Sequence, residues 1–160
     1  MSLHRAVYPG TFDPPTLGHI DLVHRGIKIV DELVVAVLAN PDKETLFSTE
    51  ERVTMLQECV GGIEGVRVDQ FDGLLADYAR NRECRSILRG LRAISDFEYE
   101  FQMALMNRRL NPDVDTLYLM PSEEHVFVSS KIVREVAQFG GHLGTLVPNS
   151  VETRLRERFG

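Results

Sequence analysis

The sequence predicts an α/β fold: a doubly wound parallel sheet of five strands with helices on both faces. Short runs of Val, Ile and Leu alternate with longer amphipathic stretches along the whole chain. Most of the short runs lack strict alternation of polar and apolar residues, as in strands that are covered on both faces. Strands that alternate with helices favour parallel pairing through helical crossovers. Because the sequence shows no linker, repeat or low-complexity segment, residues 1–160 are predicted to form a single domain.

Five strands and six helices account for this pattern. The predicted strands are Leu3–Tyr8, Glu32–Ala39, Val66–Phe71, Ser86–Arg89 and Thr116–Met120. The predicted helices are His19–Val30, Thr49–Val60, Leu74–Asn81, Asp96–Leu110, Ser130–Phe139 and Ser150–Arg158. Apolar residues of the first helix recur at the spacing of one helical face. Ser48 and Glu51 predict a capping box at the start of the second helix.

The composition excludes several classes of protein. Of 160 residues, 43% are hydrophobic and 26% are charged, which is typical of a soluble globular domain. The net charge of −6 argues against a nucleic-acid partner held by bulk charge. No apolar run has the length of a membrane span and no signal peptide precedes the first strand, so we expect a cytoplasmic protein without a membrane partner. Cys59 and Cys84 have neither metal-binding nor redox spacing, and we expect reduced thiols.

The loops that follow the strands carry the candidate functional residues. In doubly wound sheets, ligands bind beyond the carboxyl ends of the strands, near the point where the strand order reverses. The predicted loops at this edge are Gly10–Gly18, Asn40–Ser48, Asp72–Leu75, Arg89–Arg92 and Pro121–Lys131. Each contains polar or glycine residues, so one shared ligand site is expected there.

The first loop, Gly10–Gly18, joins a strand to a helix and is rich in Gly, Pro and Thr. Free N–H groups at the start of a helix attract phosphate, and glycine lets the backbone approach a ligand closely. His19 adds a donor that can be neutral or charged near pH 7. Taken alone, the same residues are also consistent with an ordinary turn and a structural capping histidine.

Cations and hydroxyl groups in the other loops extend this pattern. Arg89 closes an apolar strand, where a charge needs a partner, and Arg92 follows two residues after Gly90. Lys43, judged alone, is better explained as a solvated surface charge. Ser129 and Ser130 precede a helix, where N-capping and anion binding are about equally favoured.

This set of phosphate-binding loops with Arg, Lys and His fits phosphoryl or nucleotidyl transfer, in which positioning and charge stabilisation supply the catalysis. The sequence shows no paired carboxylates at acid–base spacing, no Ser-His-Asp order and no His and Cys metal cluster. It also lacks the Gly-x-x-x-x-Gly-Lys-Ser/Thr motif of a P-loop nucleotidase.

Several motifs carry a closer resemblance. Thr16-Leu17-Gly18-His19 resembles the (His/Thr)-x-Gly-His signature of the nucleotidyltransferase superfamily, and Val128–Arg134 resembles its Ile-Ser-Ser-Thr-x-x-Arg signature. Tyr8–Pro14, Arg89–Arg92 and Asp96–Glu100 resemble bacterial phosphopantetheine adenylyltransferase, and the match runs nearly end to end. The resemblance implies a Rossmann-like fold. It also implies transfer of the adenylyl group of ATP to 4′-phosphopantetheine, giving dephospho-coenzyme A and pyrophosphate in the penultimate step of coenzyme A biosynthesis.

The resemblance also implies roles for individual residues. The implied catalytic residues are Thr11, His19, Lys43 and Arg92. ATP binding falls to Thr11, Phe12, His19, Gly90, Leu91, Arg92 and Glu100, together with His125, Val126, Phe127, Val128, Ser129, Ser130 and Lys131. Binding of the acceptor falls to Tyr8, Gly10, Thr11, Lys43, Leu75, Arg89 and Asn107.

The implied ligands are ATP with its Mg²⁺, 4′-phosphopantetheine, and dephospho-coenzyme A and coenzyme A as product-like ligands, with no metal cage in the protein. The implied assembly is a homohexamer. The helix at Asp96–Leu110 has two apolar faces, which fit a subunit contact, a pantetheine arm or burial under the last helix.

Two residues depart from the pattern of the family. Leu17 replaces an asparagine and is expected to change packing, whereas Lys131 replaces a third serine and leaves the polyphosphate contacts open. Another small nucleotidyltransferase with a different phosphorylated acceptor is the alternative activity, and an inactive nucleotide sensor is the alternative class. Arg89–Arg92 and Asp96–Glu100 favour the pantetheine enzyme.

Overall fold

The computed structural model describes residues 2–40 and 42–160, apart from the side chains of Ile94 and Ser95. Five strands form one parallel sheet: β1 (Arg5–Gly10), β2 (Glu32–Leu38), β3 (Val66–Phe71), β4 (Ser86–Gly90) and β5 (Asp115–Leu119). Within the described residues the helices are α1 (Leu17–Gly26), α2 (Thr49–Val60), α3 (Leu75–Asn81), α4 (Ile94–Leu110), α5 (Ser130–Gln138) and α6 (Asn149–Phe159). The predicted α/β class and the five-stranded parallel sheet are confirmed.

The strand order is β3-β2-β1-β4-β5, so the order reverses between β1 and β4. β1 pairs with β2 over its whole length, but with β4 only at Ala6 and Val7. The two central strands therefore separate beyond Val7 and leave a crevice at the carboxyl edge of the sheet. This is the position at which open α/β sheets bind ligands.

β1 continues beyond its predicted end at Tyr8, through Pro9 to Gly10. Proline has no N–H for a strand ladder and is therefore usually found where one side of a strand is free. Pro9 has such a free side, because β4 no longer pairs with β1 at that height. A guanidinium nitrogen of Arg89 donates to the Pro9 carbonyl at 3.1 Å and bridges the separating strands.

α1 spans Leu17–Gly26, whereas the prediction was His19–Val30. Gly26 packs closely on β4, since a Cβ atom there would lie 2.7 Å from a methyl group of Leu88. Ile27 and Val30 follow the helix in tight turns and still pack on the same apolar core. The apolar spacing therefore identified the buried side chains but not the end of the helix.

Helices cover both faces of the sheet, as predicted. On one face, Val35 of β2 packs with Val23 of α1 and Leu56 of α2. On the opposite face, Ile87 of β4 packs with Ala79 of α3. A third apolar cluster joins α2, α5 and α6 outside these two layers. Each fully buried aliphatic side chain of this kind stabilises the fold by about 1.5–3 kcal/mol relative to exposure.

The remaining predicted elements agree closely with the structure. The predicted capping box is confirmed: the Glu51 N–H donates to the Ser48 hydroxyl at 3.1 Å, and the Glu51 carboxylate accepts from the Ser48 N–H at 2.7 Å. The hydrogen bond with Ser48 also lowers the pKa of Glu51. A short 3₁₀ turn at Glu123–His125, between β5 and α5, was not predicted from the sequence. Nowhere in the described part of the chain is a helix both long and apolar enough to cross a bilayer.

α4 leaves most of its apolar side chains exposed. α6 packs on α2 and α5 instead, so the alternative in which the last helix covers α4 is wrong. The exposed side chains of α4 are Phe97, Tyr99, Phe101, Met103, Leu105, Met106 and Leu110.

Candidate active site

A cleft of about 910 Å³ opens at the carboxyl ends of the strands, where β1 and β4 separate. Most of the predicted site residues line this cleft: Tyr8, Gly10, Thr11, Phe12, His19, Lys43, Leu75, Arg89, Gly90, Arg92, Glu100, Asn107, His125, Val128, Ser129, Ser130 and Lys131. Leu91, Val126 and Phe127 do not line it. Leu91 donates its N–H to the Leu119 carbonyl, and Val126 and Phe127 are exposed beside the 3₁₀ turn.

His19 combines a capping contact with a position on the cleft. The Thr16 hydroxyl accepts the His19 N–H at 3.3 Å, and Nδ1 of His19 accepts the Thr16 N–H at 2.9 Å. A backbone N–H is always a donor, so Nδ1 is the unprotonated ring nitrogen and the neutral ring carries its hydrogen on Nε2. The structural capping role and a role as an Nε2–H donor are therefore compatible.

His19 is neutral in the free protein. Burial, together with the positive charges of Arg92 and Arg89, lowers the pKa of His19 to about 3. The ring stands edge-on to Phe12, with 4.9 Å between the ring centroids, so packing fixes its orientation as well. His19 therefore offers a hydrogen bond at pH 7 but has no proton to release as an acid.

This pKa predicts that acid weakens the fold. The ordinary pKa of histidine is 6.5, so between pH 6.5 and pH 3 the unfolded chain binds a proton at His19 that the native chain does not. The free energy of unfolding should fall as the pH falls through this window, by up to about 1.4 kcal/mol per pH unit. Urea unfolding should show that the free energy of unfolding decreases more between pH 7 and pH 5 for the wild type than for His19→Asn. An equal decrease in the two proteins would contradict a neutral His19 in the native chain.

The start of α1 presents a free amide to the cleft. The N–H of Leu17 donates to the Leu146 carbonyl at 2.9 Å, and the N–H of His19 is taken by Thr16. Among residues 2–40 and 42–160, the Gly18 N–H has no acceptor. This amide and the positive end of the α1 dipole are suited to a phosphate oxygen.

The start of α5 adds a second anion-binding edge. Ser129 is the N-cap and accepts the Ile132 N–H at 3.2 Å, so the predicted capping role is confirmed. The N–H groups of Ser130 and Lys131 have no acceptor within the described part of the chain. The Ser130 hydroxyl donates to the Pro14 carbonyl at 2.8 Å and ties this helix to the first loop. Two helix N-termini therefore border one cleft.

Arg89 and Glu100 form an ion pair beside the cleft. The guanidinium donates through two nitrogens to the Glu100 carboxylate, with the shortest contact at 2.5 Å. Glu100 is only 7% exposed, and Tyr118 donates its hydroxyl to the Glu100 backbone carbonyl at 2.7 Å. Burial opposes the charge on Arg89, but the contact with Glu100 outweighs it and raises the pKa of Arg89. Glu100 is thus the partner that the charge at the end of β4 required.

Lys43 and Arg92 stand at the rim of the cleft with few restraints. Nζ of Lys43 lies 3.3 Å from the Thr11 hydroxyl. Arg92 makes long contacts, 3.4 Å to the Val128 carbonyl and 3.5 Å to the Asp96 carboxylate. Both side chains are exposed and retain most of their hydrogen-bonding capacity. They can turn toward an anionic ligand at a small cost in free energy, because few contacts must be broken.

Comparison with known proteins decides the family. A model of the cytidylyltransferase-like family matches residues 7–136. The phosphopantetheine adenylyltransferase of Desulfosudis oleivorans is 53% identical over 155 residues, which cover 97% of this chain and 92% of the relative. The enzyme of that name from Caldanaerobacter subterraneus subsp. tengcongensis is 53% identical over 154 residues and 96% of both chains. A third, from Dictyoglomus thermophilum, is 52% identical over 98% of this chain and 95% of its own.

The chain belongs to the phosphopantetheine adenylyltransferase family. The predicted resemblance is confirmed, and it extends beyond the residues that the cytidylyltransferase-like model matches. Those further residues include α6 and Leu146, which accepts the Leu17 N–H at the start of α1. In this member of the phosphopantetheine adenylyltransferase family, the C-terminal segment therefore supports the site directly.

Side chains that hold the first loop of this phosphopantetheine adenylyltransferase family member were not predicted from the sequence. The Asp13 carboxylate accepts the backbone N–H groups of Leu46 and Phe47 at 2.8 and 2.9 Å. The Asp13 carbonyl in turn accepts from the guanidinium of Arg134. Asp13 thereby connects the first loop to the segment before α2 and to α5.

Arg52 was also missed. It is 3% exposed and donates to the Thr11 carbonyl at 2.7 Å. The sequence did indicate that Arg52 is buried. Met55 lies three residues after Arg52 and Leu56 lies four residues after it, so all three share the buried side of α2. An arginine on a buried helix side needs polar partners, and here the first loop supplies one.

Proposed function

We propose that this chain transfers the adenylyl group of ATP to 4′-phosphopantetheine, giving dephospho-coenzyme A and pyrophosphate in the penultimate step of coenzyme A biosynthesis. The observation that carries the proposal is one cleft that joins two helix N-termini, His19 and the cations Lys43, Arg89 and Arg92. An acceptor phosphate and the polyphosphate of ATP repel each other, and this arrangement offsets the repulsion. The names of the relatives agree with the predicted activity and enzyme class.

The reaction is an in-line displacement. An oxygen of the acceptor phosphate forms a bond to the α-phosphorus while the bond to the bridging oxygen breaks, and its electron pair leaves with pyrophosphate. Negative charge grows on the α-phosphoryl oxygens and on the leaving group. We assign the Gly18 N–H and the Nε2–H of His19 to the α-phosphate, because both lie at the start of α1. His19 stabilises charge there as a neutral donor, without proton transfer.

The other end of the cleft suits the remaining phosphates. We assign the free amides of Ser130 and Lys131, with Arg92, to the β- and γ-phosphates. Lys43 and Arg89 are assigned to the acceptor phosphate, and Leu75 with the buried Asn107 to the pantetheine arm. Alignment of the two substrates can supply on the order of 7–11 kcal/mol of the barrier reduction.

The partners proposed with this activity follow from its chemistry. Mg²⁺ enters as part of the MgATP substrate, bound mainly by phosphate oxygens and water. Dephospho-coenzyme A and coenzyme A contain the same pantetheine arm and are proposed as product-like ligands of the cleft. We also propose that the reaction takes place in the cytoplasm, which suits the free thiols of Cys59 and Cys84.

A pyrophosphate-release assay tests the activity. ATP or CTP is offered with 4′-phosphopantetheine, nicotinamide mononucleotide or glycerol phosphate in turn. We expect release only from ATP with 4′-phosphopantetheine. Release with another acceptor alone would favour a different small nucleotidyltransferase, and binding of ATP without release from any pair would favour a nucleotide sensor.

Lys131 provides a prediction about ATP binding. It is exposed in the first turn of α5 and lines the cleft, where its ammonium group can reach the phosphates. Lys131→Ser should weaken ATP binding and leave acceptor affinity unchanged in titration calorimetry. A cation at this end of a helix opposes the dipole by about 0.3–1 kcal/mol, so the thermal stability of the free variant should be equal or slightly higher. Lys131→Met keeps the aliphatic stem and should match the serine variant; unchanged ATP affinity in both would place Lys131 on the solvated surface.

A homohexamer is proposed for the assembly, supported by the exposed apolar side chains of α4. Light scattering at micromolar concentration should give the mass of six chains. Phe101→Glu, in the middle of the exposed face, should give smaller species. Phe139→Glu is the control, because Phe139 is 83% exposed but lies beyond α5. A monomeric wild type would refute the hexamer, and equal masses for the two variants would refute the role of α4.

A further inference from the structure

We propose that Arg52 is a positioning residue for adenylyl transfer, which keeps the Thr11–Phe12 peptide in the conformation that places His19 and Thr11 on the cleft. This inference rests on the proposed function. Arg52 itself does not line the cleft, so it acts through the first loop.

The first loop contains a strained residue near its start. Phe12 has a φ angle of +52°, in the left-handed region that bulky side chains rarely adopt. Such a conformation persists only where the surroundings determine it, and it is found most often at functional sites. The Phe12 ring is buried and stands edge-on to both Tyr8 and His19, at centroid distances of 5.3 and 4.9 Å. The backbone conformation of Phe12 therefore fixes the position of its ring, and this ring packs against the His19 ring.

Two guanidinium groups hold the backbone of the first loop around Phe12. Arg52 donates to the carbonyl of Thr11 at 2.7 Å, immediately before the strained residue. Arg134 donates to the carbonyl of Asp13, in the Asp13–Pro14 peptide one position further along the loop. Because the Thr11 carbonyl is bound, the Thr11–Phe12 peptide cannot rotate to relieve the left-handed conformation of Phe12 without losing a charged hydrogen bond.

The remaining contacts of Arg52 connect this loop to rigid elements. In the described part of the chain its acceptors are all neutral oxygens: the carbonyls of Thr11, Leu38, Phe47 and Ser48 and the hydroxyl of Thr49. They belong to the first loop, the end of β2 and the start of α2. Burial lowers the pKa of Arg52, yet an arginine stays charged at neutral pH. The planar, five-donor fork of arginine is the side chain suited to join several oxygens in this way.

Loss of this connection should affect catalysis more than binding. If the Thr11–Phe12 peptide relaxes, the Phe12 ring no longer supports His19 and the donors move relative to the α-phosphate. Misplacement of a catalytic group by about 1 Å can lower a rate by roughly 10²-fold. The phosphate contacts that fall to α5 and Arg92 do not depend on this peptide.

The test compares Arg52→Met with Met55→Ala, a variant on the same buried side of α2. After correction for the folded fraction, Arg52→Met should lower kcat by about 10–10²-fold with little change in the KM for ATP. Met55→Ala should lose stability and keep its kcat. NMR titration of His19 supplies a readout independent of turnover: its pKa should move from about 3 toward 6.5 in Arg52→Met only. Equal kcat and equal His19 titration in the two variants would overturn the proposal.

Arg52→Lys keeps the inference testable if the methionine variant does not fold. Lysine retains the charge but cannot bind several oxygens with one planar group, so kcat should be intermediate and His19 should titrate at a raised pKa. A lysine variant that equals the wild type in both readouts would overturn the proposal. Lack of turnover by the wild type with ATP and 4′-phosphopantetheine would instead contradict the proposed function. The titration of His19 would still test whether Arg52 positions the first loop.

Discussion

Replacement of His19 by alanine is expected to lower kcat by about 10²–10³-fold, the scale of losing one donor that stabilises the transition state. The reason is the Nε2–H of a neutral imidazole that the capping contact with Thr16 orients toward the cleft. ATP affinity should change little, because Arg92 and the start of α5 remain in place. Steady-state pyrophosphate release and ATP calorimetry measure the two quantities.

Two further substitutions separate capping from catalysis at His19. His19→Asn places an amide oxygen near the position of Nδ1, so it can accept the Thr16 N–H but has no donor at the position of Nε2. His19→Gln reaches the position of Nε2 with an N–H but does not reproduce the cap. We expect the asparagine variant to be as slow as alanine with nearly native stability, and the glutamine variant to recover part of the rate. Near-normal turnover of the asparagine variant would remove His19 from the chemistry.

Replacement of Arg89 by alanine should affect both stability and use of the acceptor. It removes two donors from Glu100, which is 7% exposed, so the free energy of unfolding should fall by about 1–3 kcal/mol. Loss of a charged contact with the acceptor phosphate should raise the KM for 4′-phosphopantetheine by about 10–150-fold. Urea unfolding and initial rates measure these effects, and pantetheine without its phosphate should not react.

The double variant Arg89→Ala/Glu100→Gln distinguishes the two roles of Arg89. Removal of the carboxylate charge leaves no unpaired buried ion, so stability should largely return. Acceptor use should not return, because the guanidinium is still missing. If Arg89→Ala impaired only ATP binding, the two phosphate subsites would be assigned in reverse.

Sequence patterns predicted the fold well because its determinants are local. The apolar run of β2, the Ser48–Glu51 capping box and the Ser129 cap each depend on neighbours a few residues away. The end of α1 was missed because Ile27 and Val30 continue the apolar spacing of the helix and pack on the same core, although they lie in the turns that follow it.

The motifs predicted most of the residues that line the cleft. They did not predict the interactions among those residues. No spacing rule reveals that Arg89 on β4 binds Glu100 on α4, since that pair exists only once the sheet and the helix are packed. The same holds for Arg52, whose acceptor on Thr11 lies 41 positions earlier. The hydrogen on the His19 ring was likewise unpredictable, because only the contact of Nδ1 with the Thr16 N–H decides its place.

The hydrogen bond from Leu17 to Leu146 joins a loop made early in translation to a segment made near its end. While the ribosome extends the chain, the Leu17 amide lacks its acceptor and the start of α1 stays unfinished. That acceptor is supplied only after all five strands and α5 have been synthesised. For most of its synthesis, a nascent chain therefore contains the signature residues but not the completed cleft. The hydrogen bond that completes the start of α1 can form only after Leu146, near the end of the chain, has been added.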